Sequence, residues 1–99
     1  MKKIFDISDF VNVRTPEAVT SDLVSRIKKR RKEAKVSQKK LATISGVSYG
    51  SIRRFESTGE ISLTSLLKIA NALGFGYLED FDKLFERQYI TSLKDYIPK

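Results

Sequence analysis

The chain has 99 residues, a net charge of +7 and neither cysteine nor histidine. This length is enough for one domain with a single core, and the two missing residue types exclude disulfides, the usual zinc sites and histidine-dependent nucleophiles. The sequence contains no apolar run long enough to cross a membrane, no recognisable secretory leader and no glycine-rich phosphate loop. We therefore expect a cytoplasmic protein that is not an enzyme and needs no metal or cofactor.

The positive charge is concentrated in the middle third of the chain. From Arg26 to Arg54 there are eleven lysine and arginine residues and a single acid, Glu33, whereas both flanking segments are slightly acidic. A basic patch on a nearly neutral domain is typical of a protein that binds a polyanion such as nucleic acid. The alternative at this point is a lysine-rich surface that only aids solubility.

The first 14 residues are predicted to form an arm outside the domain. Apolar and polar residues alternate in it as in a short strand, although a loose arm fits equally well. The sequence Thr15-Pro16-Glu17 then predicts the start of helix 1, with threonine as the N-cap, proline in the first turn and an acid beside it. Helix 1 is predicted to end near Lys35, and its inward face is expected to carry Val19, Leu23, Ile27 and Ala34.

Three serines are predicted to cap the next three helices, namely Ser37, Ser48 and Ser62. Gly46 and Gly74 are predicted to end helices 2 and 4, because glycine readily adopts the left-handed conformation of a helix end. Helix 3 is predicted to span Tyr49 to Glu56, with residues 57–59 as a loop. The expected core positions are Leu41, Ala42, Ile44, Val47, Ile52, Phe55, Leu63, Leu66, Leu67, Ala70 and Leu73.

A short fifth helix is predicted after Gly74, with Leu78, Phe81 and Phe85 on its inner face. Apolar residues then repeat every three to four positions to the end of the chain, which allows one more short helix. The predicted fold is all-α, a compact bundle of about five short helices. Residues 15–85 form the domain, and residues 1–14 and 86–99 are terminal extensions.

Helices 2 and 3 meet around Ser45-Gly46-Val47-Ser48, which is the geometry of a helix-turn-helix. In this motif the second helix enters the major groove of DNA. A small residue, Ala42, lets the two helices cross closely, and Val47 and Ile52 are expected to fix the angle between them.

The segment VSQKKLATISGVSYGSIRRFESTGEISLTSLLKIANALG, residues 36–74, resembles the phage-repressor (Xre/Cro-like) helix-turn-helix family. The shared features are Ser-Gln, Leu-Ala, Gly-Val-Ser, a glutamate that closes the recognition helix, and a leucine-rich helix ending in Ala-Leu-Gly. With helix 1 included, the resemblance covers about residues 21–85. It departs from the family at Arg30, where a core leucine is usual.

The resemblance implies roles for individual residues. The positions implied to read bases are Tyr49, Gly50, Arg53 and Arg54. The positions implied to contact phosphates are Gln38, Lys39, Lys40, Ser48 and Ser51. We expect at least one of the two arginines to read a base, and favour Arg53, because a guanidinium matches the acceptors of guanine. Glu56 is implied to pair with Arg31 and to be structural, since an acid facing DNA would be repelled.

The resemblance also implies partners. Family members usually bind a palindromic operator in double-stranded DNA as two-fold dimers, so a homodimeric repressor is expected. The strings around Arg53 and Thr58, and Ser92 to Ile97 near the end, resemble antitoxins that neutralise HipA-type kinase toxins and repress their own operons. An antitoxin with a HipA-type toxin partner is therefore the alternative function.

Overall fold

The computed structural model describes residues 14–88, which form five α-helices with no strand among them. The helices are α1 (Pro16–Glu33), α2 (Gln38–Ser45), α3 (Tyr49–Thr58), α4 (Leu63–Leu73) and α5 (Tyr77–Asp82). Helix α2 packs against α3 and α4, α1 packs against α3, and α5 packs against α4. The all-α fold class predicted from sequence is confirmed.

Side-chain caps begin the first four helices. The hydroxyl of Thr15 accepts a hydrogen bond from the amide of Ala18 at the start of α1. The predicted serines cap the following helices in the same way, with Ser37, Ser48 and Ser62 each accepting from the amide three residues later. Each cap satisfies one of the amides that the first turn of a helix leaves without a partner.

The turn between α2 and α3 depends on Gly46, whose φ of 79° lies in the left-handed region. Its amide donates to the carbonyl of Ala42 and closes α2. Val47 follows and is 4% exposed, and its amide donates to the hydroxyl of Ser45. Only three residues therefore separate α2 from α3, and the one in the middle is held in the core.

Two predicted helix ends were misplaced. Helix α1 stops at Glu33, and Lys35 already has a φ of 61°. Helix α3 continues through Ser57 and Thr58, where the sequence predicts a loop, and its C-cap is Gly59. A Cβ at Gly59 would lie 2.7 Å from a methyl group of Thr20, so glycine lets α3 end close against α1.

The core lies where α2, α3 and α4 meet. Its fully buried side chains are Leu41, Ile52 and Ile69, with Val47, Phe55 and Ala70 also buried. Ile69 was missed in the sequence prediction, although it is 1% exposed. Apolar side chains that are partly buried pack around this cluster, namely Ile27, Val36, Ala42, Ile61, Ala72 and Leu73.

Several residues predicted to face inward are exposed instead, namely Val19, Ala34, Ile44, Leu63 and Phe85. Leu63 is the first residue of α4, where no neighbouring helix covers it, and is 68% exposed. Phe85 lies beyond the end of α5 with a φ of 63° and is fully exposed. Helical spacing predicts which residues share one face of a helix. It does not predict how far a neighbouring helix extends to cover that face.

Arg30, at the position where the family usually has leucine, is half-buried beside an apolar groove between α1, α4 and α5. Its guanidinium pairs with Glu33 at 2.5 Å, so the stem lies along the groove while the charge stays at the surface. The strand-like alternation before Arg14 and the apolar repeat from Tyr89 onward lie outside the described residues.

Candidate nucleic-acid interface

Helix α3 has one buried and one exposed face. Ile52 and Phe55 are buried against the core, at 0% and 3% exposure. Tyr49, Gly50 and the two arginines that follow are exposed. The helix therefore presents a polar, positively charged surface on the side away from the core.

The exposed face of α3 is joined to α2 through one aromatic ring. The Nζ of Lys39 lies 5.5 Å from the centroid of the Tyr49 ring, and the Cζ of Arg53 lies 5.5 Å from the same centroid. Both separations are within the range of a cation–π contact. Lys39 belongs to the first turn of α2, so the ring joins positive groups from both helices of the motif.

Arg54 has a different environment from Arg53. Its guanidinium forms an ion pair with Glu60, which follows the glycine that ends α3. The main-chain carbonyl of Arg54 accepts hydrogen bonds from the hydroxyls of Ser57 and Thr58. Sequence reasoning missed Glu60, because a pair that crosses the end of a helix leaves no helical spacing to detect.

Beneath this surface a buried ion pair fixes α1 against α3. The Nε of Arg31 donates to Oε2 of Glu56 at 2.7 Å, and the Nη2 of Arg31 donates to Oε1 of Glu56 at 2.9 Å. The side chains of Arg31 and Glu56 are 8% and 4% exposed. Arg31 also donates to the carbonyl of Val36 at 2.8 Å, so it holds the α1–α2 connection as well.

Gln38 completes this network from α2. Its side-chain nitrogen donates to Glu56 at 2.9 Å. The same amide nitrogen carries a second hydrogen, which can donate to a phosphate. Three helices thus meet at one carboxylate, at the edge of the surface that carries Gly50 and Arg53.

The carboxyl group of Glu56 responds to opposing influences. Burial disfavours its charged form and by itself would raise the pKa. The hydrogen bonds from Arg31 and Gln38 and the positive charges of Arg31 and Lys28 outweigh burial, so the pKa lies below its ordinary value. Glu56 is therefore a carboxylate at neutral pH.

The basic surface extends from α3 onto α1 through Lys28. This lysine lines one concave surface with Gln38, Gly50, Arg53 and Arg54. It also lines an adjoining surface with Lys29 and Lys32 on α1. Among the described residues, these exposed lysines continue the positive charge of α3 across the neighbouring helix.

The structure brings most of the predicted site residues together. Ser48 caps α3 and donates its hydroxyl hydrogen to the hydroxyl of Ser51 at 2.8 Å, while the Ser51 amide donates to Ser48 at 3.1 Å. Lys40 is exposed on the first turn of α2. The predicted base-reading and phosphate positions therefore lie on the starts of α2 and α3 and along the exposed face of α3.

A sequence model of the helix-turn-helix family matches residues 27–80, more than half of the chain. The chain belongs to this family. The match runs from the middle of α1 into α5 and includes the whole surface described above. The Xre/lambda-repressor-like helix-turn-helix family is a DNA-binding regulatory family. Neither the curated proteins nor the solved structures that were compared contain a match to the chain.

Within residues 14–88, no helix combines the length and the apolar character that crossing a membrane requires.

Proposed function

We propose that the protein is a sequence-specific regulator of transcription that places α3 in the major groove of double-stranded DNA. The observation that carries this proposal is the two-faced character of α3. Ile52 and Phe55 hold the helix on the core, and Tyr49, Gly50 and Arg53 are exposed on its other side. A helix that enters the groove needs this combination of a fixed back and a polar front.

Within this proposal, Arg53 reads a guanine. It is exposed, and no carboxylate is paired with it in the described part of the chain, whereas Arg54 is paired with Glu60. A guanidinium can donate two parallel hydrogen bonds to the major-groove acceptors of guanine. Gly50 and Arg54 are the other proposed base contacts, and Tyr49 lies beside Arg53 on the same exposed face.

The proposed phosphate contacts surround this helix, at the starts of α2 and α3, where unpaired amides favour an anion. They are Gln38, Lys39, Lys40, Ser48 and Ser51. The exposed lysines of α1 adjoin this surface, and we expect some of them to reach the DNA backbone as well.

The experiment that tests the proposal is selection of binding sites from a pool of random DNA duplexes. We expect recovery of one related set of sequences with an inverted repeat. Recovery of unrelated sequences would contradict sequence-specific binding. Failure to retain any duplex at low salt would contradict DNA binding altogether.

We further propose that the protein acts as a homodimeric repressor in the cytoplasm. One such domain covers too few base pairs to distinguish its site from genomic competitors, whereas two copies read two half-sites about one helical turn apart. Phe75 and Phe85, on either side of α5, are 90% and 101% exposed, which supports an interface between proteins near α5. Sedimentation at micromolar concentration should give the mass of a dimer for the free protein, and of a dimer plus one duplex when the selected duplex is added. A protein that is monomeric in both measurements would contradict the proposal.

The second candidate is an antitoxin that binds a HipA-type kinase toxin and represses its own operon. The resemblance around Arg53, Thr58 and Ser92 favours it. Both functions include DNA binding, so co-purification with the product of an adjacent kinase-like gene distinguishes them. A stable complex supports the antitoxin, and its absence leaves the repressor function alone.

A further inference from the structure

We propose that Tyr49 is a positioning residue, whose ring holds Arg53 and Lys39 in place before DNA arrives. This inference rests on the proposed function and assigns to Tyr49 a role different from direct base reading. In this arrangement the aromatic face acts, and the phenol hydroxyl makes no essential contact with a base.

One aromatic ring contacts two cations. Both Lys39 and Arg53 lie within cation–π distance of the Tyr49 centroid, at 5.5 Å each. The electron-rich face of the ring attracts both positive groups and offsets their mutual repulsion. Tyr49 itself is 38% exposed, so its neighbours cover most of the residue.

The two cations come from different helices. Arg53 lies one turn after Tyr49 on α3, at the spacing that brings two side chains together on a helix. Lys39 lies in the first turn of α2. The ring therefore fixes a proposed base contact relative to a proposed backbone contact, across the turn that joins the helices.

Ordering the two side chains before DNA binds lowers the entropic cost of recognition. Long side chains such as lysine and arginine lose conformational freedom when they bind, and a side chain that is already ordered loses less. A lysine that contacts the phosphate backbone of DNA helps to set the position and orientation of the helix in the groove. If Tyr49 orders both groups, it improves recognition without touching the base that Arg53 reads.

The test compares Tyr49→Phe with Tyr49→Leu. Phenylalanine keeps the aromatic face and lacks only the hydroxyl, so we expect discrimination within about twofold of wild type. Leucine removes the aromatic face, and discrimination between the selected duplex and one with the guanine replaced should fall about two- to fivefold. Equal losses in both variants would overturn the proposal, because they would show that the hydroxyl makes the contact.

A second arm asks whether Tyr49 acts through Arg53. In an Arg53→Ala background, Tyr49→Leu should cause no further loss of discrimination at that base pair. A loss of the same size in both backgrounds would overturn the proposal. If no variant and no wild-type protein distinguishes any duplex, the proposed function itself has failed.

A third arm uses the free protein, so that it stands apart from DNA binding. The side-chain NMR signals of Arg53 and Lys39 should be shifted upfield by the ring current in wild type and in Tyr49→Phe, and should lose this shift in Tyr49→Leu. An unchanged spectrum in Tyr49→Leu, with the protein folded by circular dichroism, would overturn the arrangement even where DNA binding is intact.

Discussion

At the scale of single residues, neighbouring positions on α3 serve opposite purposes. Arg53 is exposed beside Tyr49, whereas Glu56 is buried and bonded to α1 and α2. A charged residue on a recognition helix is thus not by itself a DNA contact. The neighbours of a charged residue decide its role, and here a glutamate buried beneath a basic surface is tolerated because Arg31 and Gln38 donate hydrogen bonds to its oxygens.

Replacing Arg53 with alanine should relax the base preference at one position of each half-site and leave stability nearly unchanged. The proposed pair of hydrogen bonds to guanine, which this variant would lack, is worth about 1–3 kcal/mol of discrimination at one base pair in each half-site. The melting temperature should stay close to that of wild type because the side chain is exposed. Binding to the selected and the base-substituted duplexes measures the first effect, and full retention of base preference would contradict the assignment.

Glu56→Ala should have the reverse effect. It leaves Arg31 buried without its carboxylate, and breaking one partner of a buried pair costs about 3–5 kcal/mol. Glu33→Ala is a matched control, because the Arg30–Glu33 pair is exposed and should be worth less than about 1 kcal/mol. Urea unfolding of both variants at neutral pH gives the two values, and equal stabilities would refute the structural role of Glu56.

The lowered pKa of Glu56 predicts how this stabilisation depends on pH. A carboxyl group with a lower pKa in the folded state stabilises the protein fully above its unfolded pKa. The stabilisation is lost as pH falls through the lowered folded pKa. The difference in free energy of unfolding between wild type and Glu56→Gln should therefore shrink in acid. A difference that is constant from pH 7 into the acid range would contradict the shift.

At the scale of helices, local chemistry explains which predictions succeeded. The caps at Thr15, Ser37, Ser48 and Ser62 were predicted correctly, because each bond joins residues three apart and needs no tertiary partner. Exposure at helix ends, as at Leu63, was predicted wrongly because it depends on how far a neighbouring helix extends.

The site divides in the same way. The exposed face of α3 follows from helical spacing once Ile52 and Phe55 are recognised as core. Contacts that join separate helices, such as Gln38 with Glu56 and Lys39 with Tyr49, have no signature in spacing. Hydropathy alone would place Arg31 at the surface. Its pairing with Glu56 was predicted only because the family resemblance implied it.

The segment after α3 should limit the affinity for DNA. Glu60 pairs with Arg54, so in the proposed complex DNA would compete with Glu60 for this guanidinium and would approach its negative charge. Glu60→Gln should raise the affinity for all duplexes about two- to fivefold, the range expected for an exposed ion pair. Glu79→Gln removes the same charge on α5 and should have a smaller effect. Equal effects of both substitutions on the dissociation constant would show that only net charge matters.

At the scale of the whole molecule, the positive charge is unevenly distributed along the chain. The core lies among α2, α3 and α4, and the excess positive charge lies on residues 26–54, with α5 carrying Glu79, Asp80 and Asp82. Such an uneven distribution steers a polyanion toward one side of the protein. In the proposed complex, approach from that side would present α3 to the DNA, so long-range attraction would favour the orientation that groove recognition needs.

This distribution predicts a steep dependence of DNA affinity on salt. Each phosphate that is neutralised releases counterions, and the slope of log K against log salt concentration changes by about −0.9 per contact.

Lys39→Ala should weaken binding to selected and scrambled duplexes alike and make the slope shallower by about 0.9 for each copy bound. Arg53→Ala should change the slope little if its contact is to a base. Lys83→Ala, next to α5, removes the same charge away from α2 and α3 and should leave the slope unchanged. A wild-type slope near zero, or equal slopes for Lys39→Ala and wild type, would contradict the phosphate contact at the start of α2.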